Sequence, residues 1–426
     1  MLQVFKGSWA LLLGMMLLMV GNGLQGTLLG VRGGLEGFGT FEMSIVMSCY
    51  FVGFLGGSKM APEMIRRVGH VRVFAALGSF ISAVLILYPA FPHPVAWALG
   101  RIVIGFCFSG VYVTAESWLN NSADNAHRGK ALSLYMIVQM FGIVAAQGIL
   151  LTGDPSGFVL FIIPSVLVSI SFAPILLSVS PTPAFETTKP MTLRELTRIS
   201  PLGCVGMFLM GGVFSAQFGM AAVYGTERGL TVAEISIFVT AIYLGALLLQ
   251  YPIGWLSDRM DRRVLILAVS VLGGLGGFAG FLYDDVFILL LGSAFIIGGM
   301  SNPLYALLIA YTNDFLEHED MAAASGGLIF INGIGAIAGP LITGWMMGLV
   351  GPEGFFLFVA VLLLGLAAYA GFRMTQRAST FDVDEATPYS PILATASPVA
   401  VEVAQEIYIE AELEEAESAA TETPAA

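Results

Sequence analysis

The stretch YPIGWLSDRMDRR, Tyr251 to Arg263, decides how the rest of the chain is read. An apolar run ends at Gly254, the chain turns through Asp258 and Arg259, and Arg262 and Arg263 close the turn before a new apolar run begins at Val264. A short basic connector between two long apolar runs is what joins two membrane helices, because charges are expelled from hydrocarbon to its edges. Its arginines assign this turn to the cytoplasmic side.

Working outward, a transmembrane helix needs about 20 mainly apolar residues. The sequence offers twelve such runs, at 8–30, 43–61, 73–91, 95–119, 131–151, 158–178, 201–223, 233–255, 264–283, 286–311, 323–348 and 355–372. The connectors are short except in the middle and after Arg373. The expected fold is therefore an all-α integral membrane protein of twelve transmembrane helices in two pseudo-symmetric six-helix bundles. Residues 1–178 form the N-terminal bundle, 179–200 a cytoplasmic linker with one short amphipathic helix, 201–375 the C-terminal bundle, and 376–426 a disordered acidic cytoplasmic tail.

Composition agrees. Hydrophobic residues make up 57% of the 426 and charged residues only 11%, against about 25% in soluble proteins. The net charge of −12 comes almost wholly from the tail, which carries eleven acids and no Lys or Arg beyond Ala378. The acidity is thus no binding surface, and no nucleic-acid partner is expected. Cys49, Cys107 and Cys204 lie in apolar runs at spacings that fit neither a disulfide framework nor a metal. The four histidines fall in predicted loops. No metal and no cofactor is expected, and the absence of H-E-x-x-H and of an intramembrane His argues against a membrane-embedded enzyme. There is no nucleotide-binding Gly-rich Lys-Ser/Thr loop to supply ATP.

Charge also sets orientation. Of the 18 Lys and Arg, fifteen fall on the side that holds both termini, Arg32 and Arg228 fall on the other, and Arg101 is inside a run. Both termini are therefore expected in the cytoplasm, in a bacterial inner membrane. The halves also repeat. At an offset of 193, Tyr50 meets Tyr243, Gly105 meets Gly298, Tyr112 meets Tyr305, Gln139 meets Asn332 and Gly142 meets Gly335.

Polar residues inside apolar runs are costly, so they mark a cavity or a helix–helix bond. Arg101 costs roughly 2.5 kcal/mol or more in a membrane helix, so it should face a cavity or partner, or else reach the interface as a structural pin. Glu116 is fifteen residues further on the same run, about 22 Å along a helix, so the two cannot pair. Glu116 reads either as a proton-coupling carboxylate or as a gate residue paired with Arg128 or loop arginines. The substrate-cavity candidates are Asn22, Gln25, Arg101, Gln139, Gln217, Tyr305 and Asn332, with Gln147, Asn302, Tyr112 and Tyr243 beside them; each could equally bond between helices.

The turn resembles a known signature. Gly254, Asp258, Arg259, Arg262 and Arg263 look like the cytoplasmic loop motif of the major facilitator superfamily of secondary transporters, with Asp261 where the family has Gly. LGRIVIG, around Arg101 and Gly105, resembles its fourth-helix motif, with Ile104 in place of the usual Gln. GIGAIAGPLITG, Gly333 to Gly344, resembles the Gly-Pro motif of its antiporters, moved from the fifth run to the eleventh. TAESWLNNSADNAHRGKALSLYM and GGMSNPLYALLIAYTNDFLEHED are similar to its YcaD-like branch. The resemblance implies alternating access about a midplane site lined by runs 1, 4, 7 and 10, which favours Gln25, Arg101, Gln217 and Tyr305. It implies a latch in the loop motif, served by Asp314, Glu317, Glu319 and Asp320. The expected function is secondary transport of a small organic solute, proton-coupled and leaning to export, by a monomer in the lipid bilayer. The alternative is a transporter-like ligand sensor.

Overall fold

A computed structural model of the chain describes residues 2–122, 125–177, 191–316 and 318–376, then 389, 392, 397 and 399–401. The helices are α1 (Leu2–Leu35), α2 (Thr40–Val68), α3 (His70–Ala90), α4 (Pro94–Ser122), α5 (Asn125–Leu150) and α6 (Val159–Ser171, resumed as Ala173–Leu177). The second set is α7 (Pro201–Ser215, a π turn Ala216–Met220, then Ala221–Glu227), α8 (Val232–Ser257), α9 (Arg262–Leu282), α10 (Phe287–Asn313), α11 (His318–Val350) and α12 (Gly354–Gln376). Eleven of these contain a span long and apolar enough to cross a membrane, and α5 adds the apolar stretch Leu134–Leu150. The fold is all-α, twelve membrane helices in two six-helix bundles.

Local sequence explains where the helices start. Thr231 accepts from the Glu234 amide while the Glu234 carboxylate accepts from the Thr231 amide, a capping box that opens α8. The same box, Thr192 with Glu195, opens the short helix Leu193–Ile199 before α7, the amphipathic piece expected in the linker. Residues 178–190 of that linker lie outside the described residues. Three histidines are in helices rather than loops: His70 opens α3, His318 opens α11, and His127 falls within α5. His70 is buried and shares a hydrogen bond with Ser117 at 3.0 Å.

The repeat read in the sequence is a packing repeat. In each half the second helix lies along the fourth, the first along the fifth, and the third along the sixth. Gly105 on α4 abuts the Tyr50 carbonyl of α2, and Gly298 on α10 abuts the Ile242 carbonyl of α8. A methyl group at either position would fall onto that backbone oxygen, so only glycine permits the approach.

The halves meet chiefly through α2 with α11, α5 with α8, and α1 with the last part of α7. The terminal face is the end of the bundle that bears the N-terminus, the α6–α7 connection and the end of α12; the opposite end is the far face. Toward the far face the halves close on each other. Gly30 packs on Ala222, Gly34 on Thr226 and Gly344 on Ser44, and Ser48 Oγ donates to the Ile337 carbonyl at 2.6 Å. The two basic residues of the far face are each neutralised: Arg32 pairs with Glu36 at 2.6 Å, and Arg228 with Asp284 at 2.8 Å and with Asp285.

Gly105→Ala and Gly298→Ala should each destabilise the purified protein by about 1–3 kcal/mol, the cost of overpacking, because the added methyl meets backbone. Gly292→Ala, on the same α10 but with nothing within 4 Å of the new methyl, should leave the melting temperature unchanged or raised. Thermal unfolding followed by intrinsic fluorescence separates the three.

Candidate functional site

Between the halves lies a cavity of about 1100 Å³, its opening included. Its walls come from α2, α5, α7, α8, α10 and α11. Aromatic rings dominate: Tyr50, Phe51 and Phe54 stand on one face of α2, Phe214 and Phe218 flank Gln217 on α7, and Tyr243 faces them from α8. Tyr50 and Tyr243, repeat partners in sequence, thus enter the same cavity from opposite halves. The polar groups are few: Ser58, Gln217, Asn302 and Asn332.

These amides are held rather than loose. Gln217 sits in the π turn of α7, where the widened helix turns it toward α10; its Nε2 donates to the Ile297 carbonyl at 3.4 Å and its Oε1 accepts from Ser301 Oγ at 3.1 Å. Asn332 donates to the Met207 carbonyl at 3.0 Å, and Asn302 donates to Gln250 Oε1 at 2.6 Å.

Of the sequence candidates, Gln217, Asn302, Asn332 and Tyr243 line this cavity. Asn22, Gln25 and Arg101 form a connected network beside it. Asn22 donates to the Tyr112 hydroxyl at 3.1 Å, Gln25 donates to Asn22 Oδ1 at 3.2 Å, and Arg101 Nη1 donates to Gln25 Oε1 at 2.7 Å. Arg101 is fully buried, so it does not reach the interface. Its guanidinium rests over the Tyr50 ring at 4.7 Å, a cation–π contact that links the network to the cavity wall. Its Nε and Nη2 have no hydrogen-bond partner among the described residues. Tyr305 is buried with its ring edge-on to Phe214, one layer behind the wall, and Gln139 is buried on α5 next to the lining residue Met140.

Glu116 is buried, 3% exposed, near the terminal face. Its carboxylate accepts from the Tyr135 hydroxyl at 3.2 Å, from the Ser397 amide at 2.9 Å, from the Ser397 hydroxyl, and from the Ala400 amide. The side chain of Arg128, the partner considered from sequence, lies outside those described.

The loop motif divides its work. Arg262, 1% exposed, bonds Ser257 Oγ at 3.1 Å and pairs with Asp314, one of the acids expected to serve the latch. Arg263 pairs with Asp261 at 2.7 Å, and Asp261 Oδ1 caps α9 by accepting from the Arg263 amide at 2.9 Å. That explains an aspartate where the motif has glycine. Arg259 lies over the Trp255 ring at 4.3 Å. Asp258 accepts from the Tyr389 amide at 2.7 Å, and the Tyr389 ring covers Gly254. Burial pushes the Asp258 carboxyl above its ordinary value, opposed by that amide and by Arg262 and Arg259. Of the other acids considered, Asp320 is exposed, Glu317 lies outside the described residues, and so does the side chain of Glu319. In the first half the equivalent arginines, Arg66 and Arg67, are tied to Glu63 of their own helix, at 2.8 and 2.6 Å on an exposed surface.

A cavity between two glycine-packed, repeated six-helix halves, closed at one face, is the architecture of a carrier. The sequence model of the Major Facilitator Superfamily matches residues 11–231 and again 202–401. The chain belongs to the major facilitator superfamily. The MFS-type transporter YcaD of Escherichia coli O6:K15:H31 (strain 536 / UPEC) is 28% identical over 373 residues, 85% of this chain and 95% of that protein. Among solved structures, the nucleoside transporter NupG (D323A mutant) superposes with a TM-score of 0.74 at 16% identity, over 86% of this chain and 99% of that one. A bacterial homologue of the human lysosomal transporter Spinster, solved inward-facing and unoccupied, does so with 0.67 at 13% identity, over 96% and 98%. The chain is thus a multi-pass membrane protein, a secondary transporter of small solutes in the YcaD-like branch and not an enzyme.

Sequence reasoning found Tyr243 but missed the rest of the aromatic wall. Its signal was present as rings at i, i+1 and i+4 in α2 and at i and i+4 around Gln217; the π turn had no sequence signal.

Two changes test the site. Tyr50→Phe should leave stability within about 0.5 kcal/mol, because the Asn22 amide beside the Tyr50 hydroxyl donates to Tyr112 instead, whereas Tyr50→Ala should cost about 3 kcal/mol or more. Equal loss in both variants would mean that the hydroxyl is bonded. Asp314→Asn removes the ion pair between Asp314 and the buried Arg262 and should cost about 2 kcal/mol, while Asp320→Asn should cost nothing measurable; the melting temperatures of the pair decide it.

Proposed function

We propose that this superfamily member moves a small organic solute with an apolar or aromatic body across a bacterial inner membrane by alternating access, coupled to protons and in the direction of export. The observation that carries the reading is the cavity between the halves, walled by aromatic rings with a few fixed amides and closed toward the far face. Such a wall favours a flat or amphipathic molecule, held by stacking and oriented by Gln217, Asn302 and Asn332.

In the sequence, fifteen of the 18 Lys and Arg flank the apolar runs on the side that holds both termini, which supports a cytoplasmic location for them. The arrangement is then inward-facing, as is the Spinster homologue. Proton coupling rests on Glu116, a buried carboxylate at the inner end of α4 with acceptor bonds that a bound proton would alter. Arg101 is the positioning charge of the deep network: it holds Gln25 and Tyr50 and keeps two N–H directions for a partner that arrives in another state. The protein works as a monomer, since each chain contains both halves of its cavity.

Purified protein in proteoliposomes under an imposed pH gradient, challenged with a panel of aromatic and amphipathic compounds, organic acids and amino acids, tests this reading. A compound that drives proton movement opposite to its own should be found. Glu116→Gln should reduce that proton movement at least tenfold, and Arg101→Ala should raise the half-saturating concentration. Proton-driven flux that survives Glu116→Gln would remove it from coupling.

A further inference from the structure

The segment after α12 was expected as a disordered acidic tail, and most of it lies outside the described residues. The described part behaves otherwise. Tyr389, Ile392, Ser397, Ala400 and Val401 are buried, between 0 and 6% exposed, and Tyr389, Ile392, Ala400 and Val401 belong to the continuous apolar core of the bundle. The sequence carries a matching feature: residues 386–401 contain no charge, an apolar island between Glu385 and Glu402. Ser397 also closes a turn of its own, accepting the Val399 amide at Oγ and the Val401 amide at its carbonyl.

The two ends of this island attach to different halves. Tyr389 donates its amide to Asp258 at the end of α8 and lays its ring on Gly254, both in the second half. Ser397 and Ala400 donate their amides to Glu116 on α4, in the first half. Both attachments lie at the terminal face, where the halves would have to approach if the far face were to open. The acids used are the loop-motif aspartate and the buried α4 carboxylate, the two groups best placed to hold that face shut in the other state.

We propose that the described tail residues Tyr389, Ile392, Ser397 and Val399 to Val401 act as an intramolecular plug that binds across the two halves at the terminal face and arrests the transporter in the state with its far face closed. With these residues in place, Glu116 and Asp258 are occupied by main-chain N–H groups and the Ser397 hydroxyl, and the buried apolar side chains fill space into which the helix ends would move. Cycling then requires the segment to leave. This goes beyond the transport reading, since it needs neither the substrate nor the coupling ion to be known.

The test measures the far face directly. With Cys49, Cys107 and Cys204 replaced by alanine, spin labels at Leu35→Cys and Val286→Cys, exposed far-face positions on opposite halves, report its opening by pulsed electron–electron distance measurement without substrate. The full chain should give one short-distance population. Deletion of residues 379–426, and separately Ser397→Pro in the full chain, which removes the amide that bonds Glu116, should each add a longer-distance population, at least threefold above the full-chain level. A synthetic peptide of residues 386–403 should reverse the effect of the deletion. Distances unchanged in both variants overturn the plug, as does a shift in the truncated protein that the peptide does not reverse and Ser397→Pro does not reproduce. Failure of the proton-flux experiment leaves these distances untouched, so the two proposals fall separately.

Discussion

The close approach of paired helices at glycine is the contact on which the rest of the molecule depends. Gly105 lets α4 touch the backbone of α2 at Tyr50, and Gly298 does the same for α10 and α8 at Ile242. In hydrocarbon there is no hydrophobic drive to press helices together, so tight backbone packing must supply cohesion through dispersion and fit. A half packed this way moves as one body. Tyr50, whose carbonyl meets Gly105, also sends its ring into the cavity and supports Arg101; Tyr243, next to Ile242, does the same for the cavity from the other side. Packing and site are therefore built on the same residues, once in each half.

Polar groups in the interior obey a common rule. Where deep groups of the helices are bonded, the partner stays within one half, as with Arg101 and Gln25, Asn302 and Gln250, or Asn332 and the Met207 carbonyl. Among the described residues, the contacts across the far-face seam are mainly small residues, with a hydrogen bond from Ser48 to the Ile337 carbonyl. Bonds within a half survive rocking, whereas bonds across the seam must break at every turnover. A seam made of glycine, alanine and serine keeps that cost small, while a strong ion pair there would trap one state.

How much of this was legible follows from the periods involved. Helix number, the two halves and their repeat rest on runs of about 20 apolar residues and on a fixed offset, which survive without knowledge of packing. The loop motif was readable because its charges must lie outside the bilayer, and Asp314 was identifiable as a partner because it ends a helix on the same face. The cavity wall was less legible. Listing polar residues in apolar runs finds Gln217, Asn302, Asn332 and Tyr243 but also leads to Tyr305, which sits one layer behind Phe214. Aromatic residues are common in every membrane helix, so composition does not mark those that face a cavity, and the π turn that aims Gln217 is a backbone event. In the tail, eleven acids over its length obscure a sixteen-residue uncharged island when composition is averaged.

That island matters because of the magnitudes involved. A hydrogen bond to a charged group is worth about 1.5–3 kcal/mol net, so the three amides on Glu116 and Asp258 supply on the order of 4.5–9 kcal/mol before the entropy of ordering the segment is subtracted. Shifting a two-state equilibrium from 1:99 to 99:1 takes about 5.5 kcal/mol. The bonds alone are therefore of the size that biases which face is open, and the opposing entropy keeps them from fixing the segment for good. Main-chain donors also differ from arginines in one respect: they carry no charge of their own, so their departure leaves no buried cation behind. A carboxylate held by amides can pass to a new partner, or to a proton, without that penalty. The acids at the terminal face are thus arranged for exchange, whereas Arg262 with Asp314 is arranged to stay.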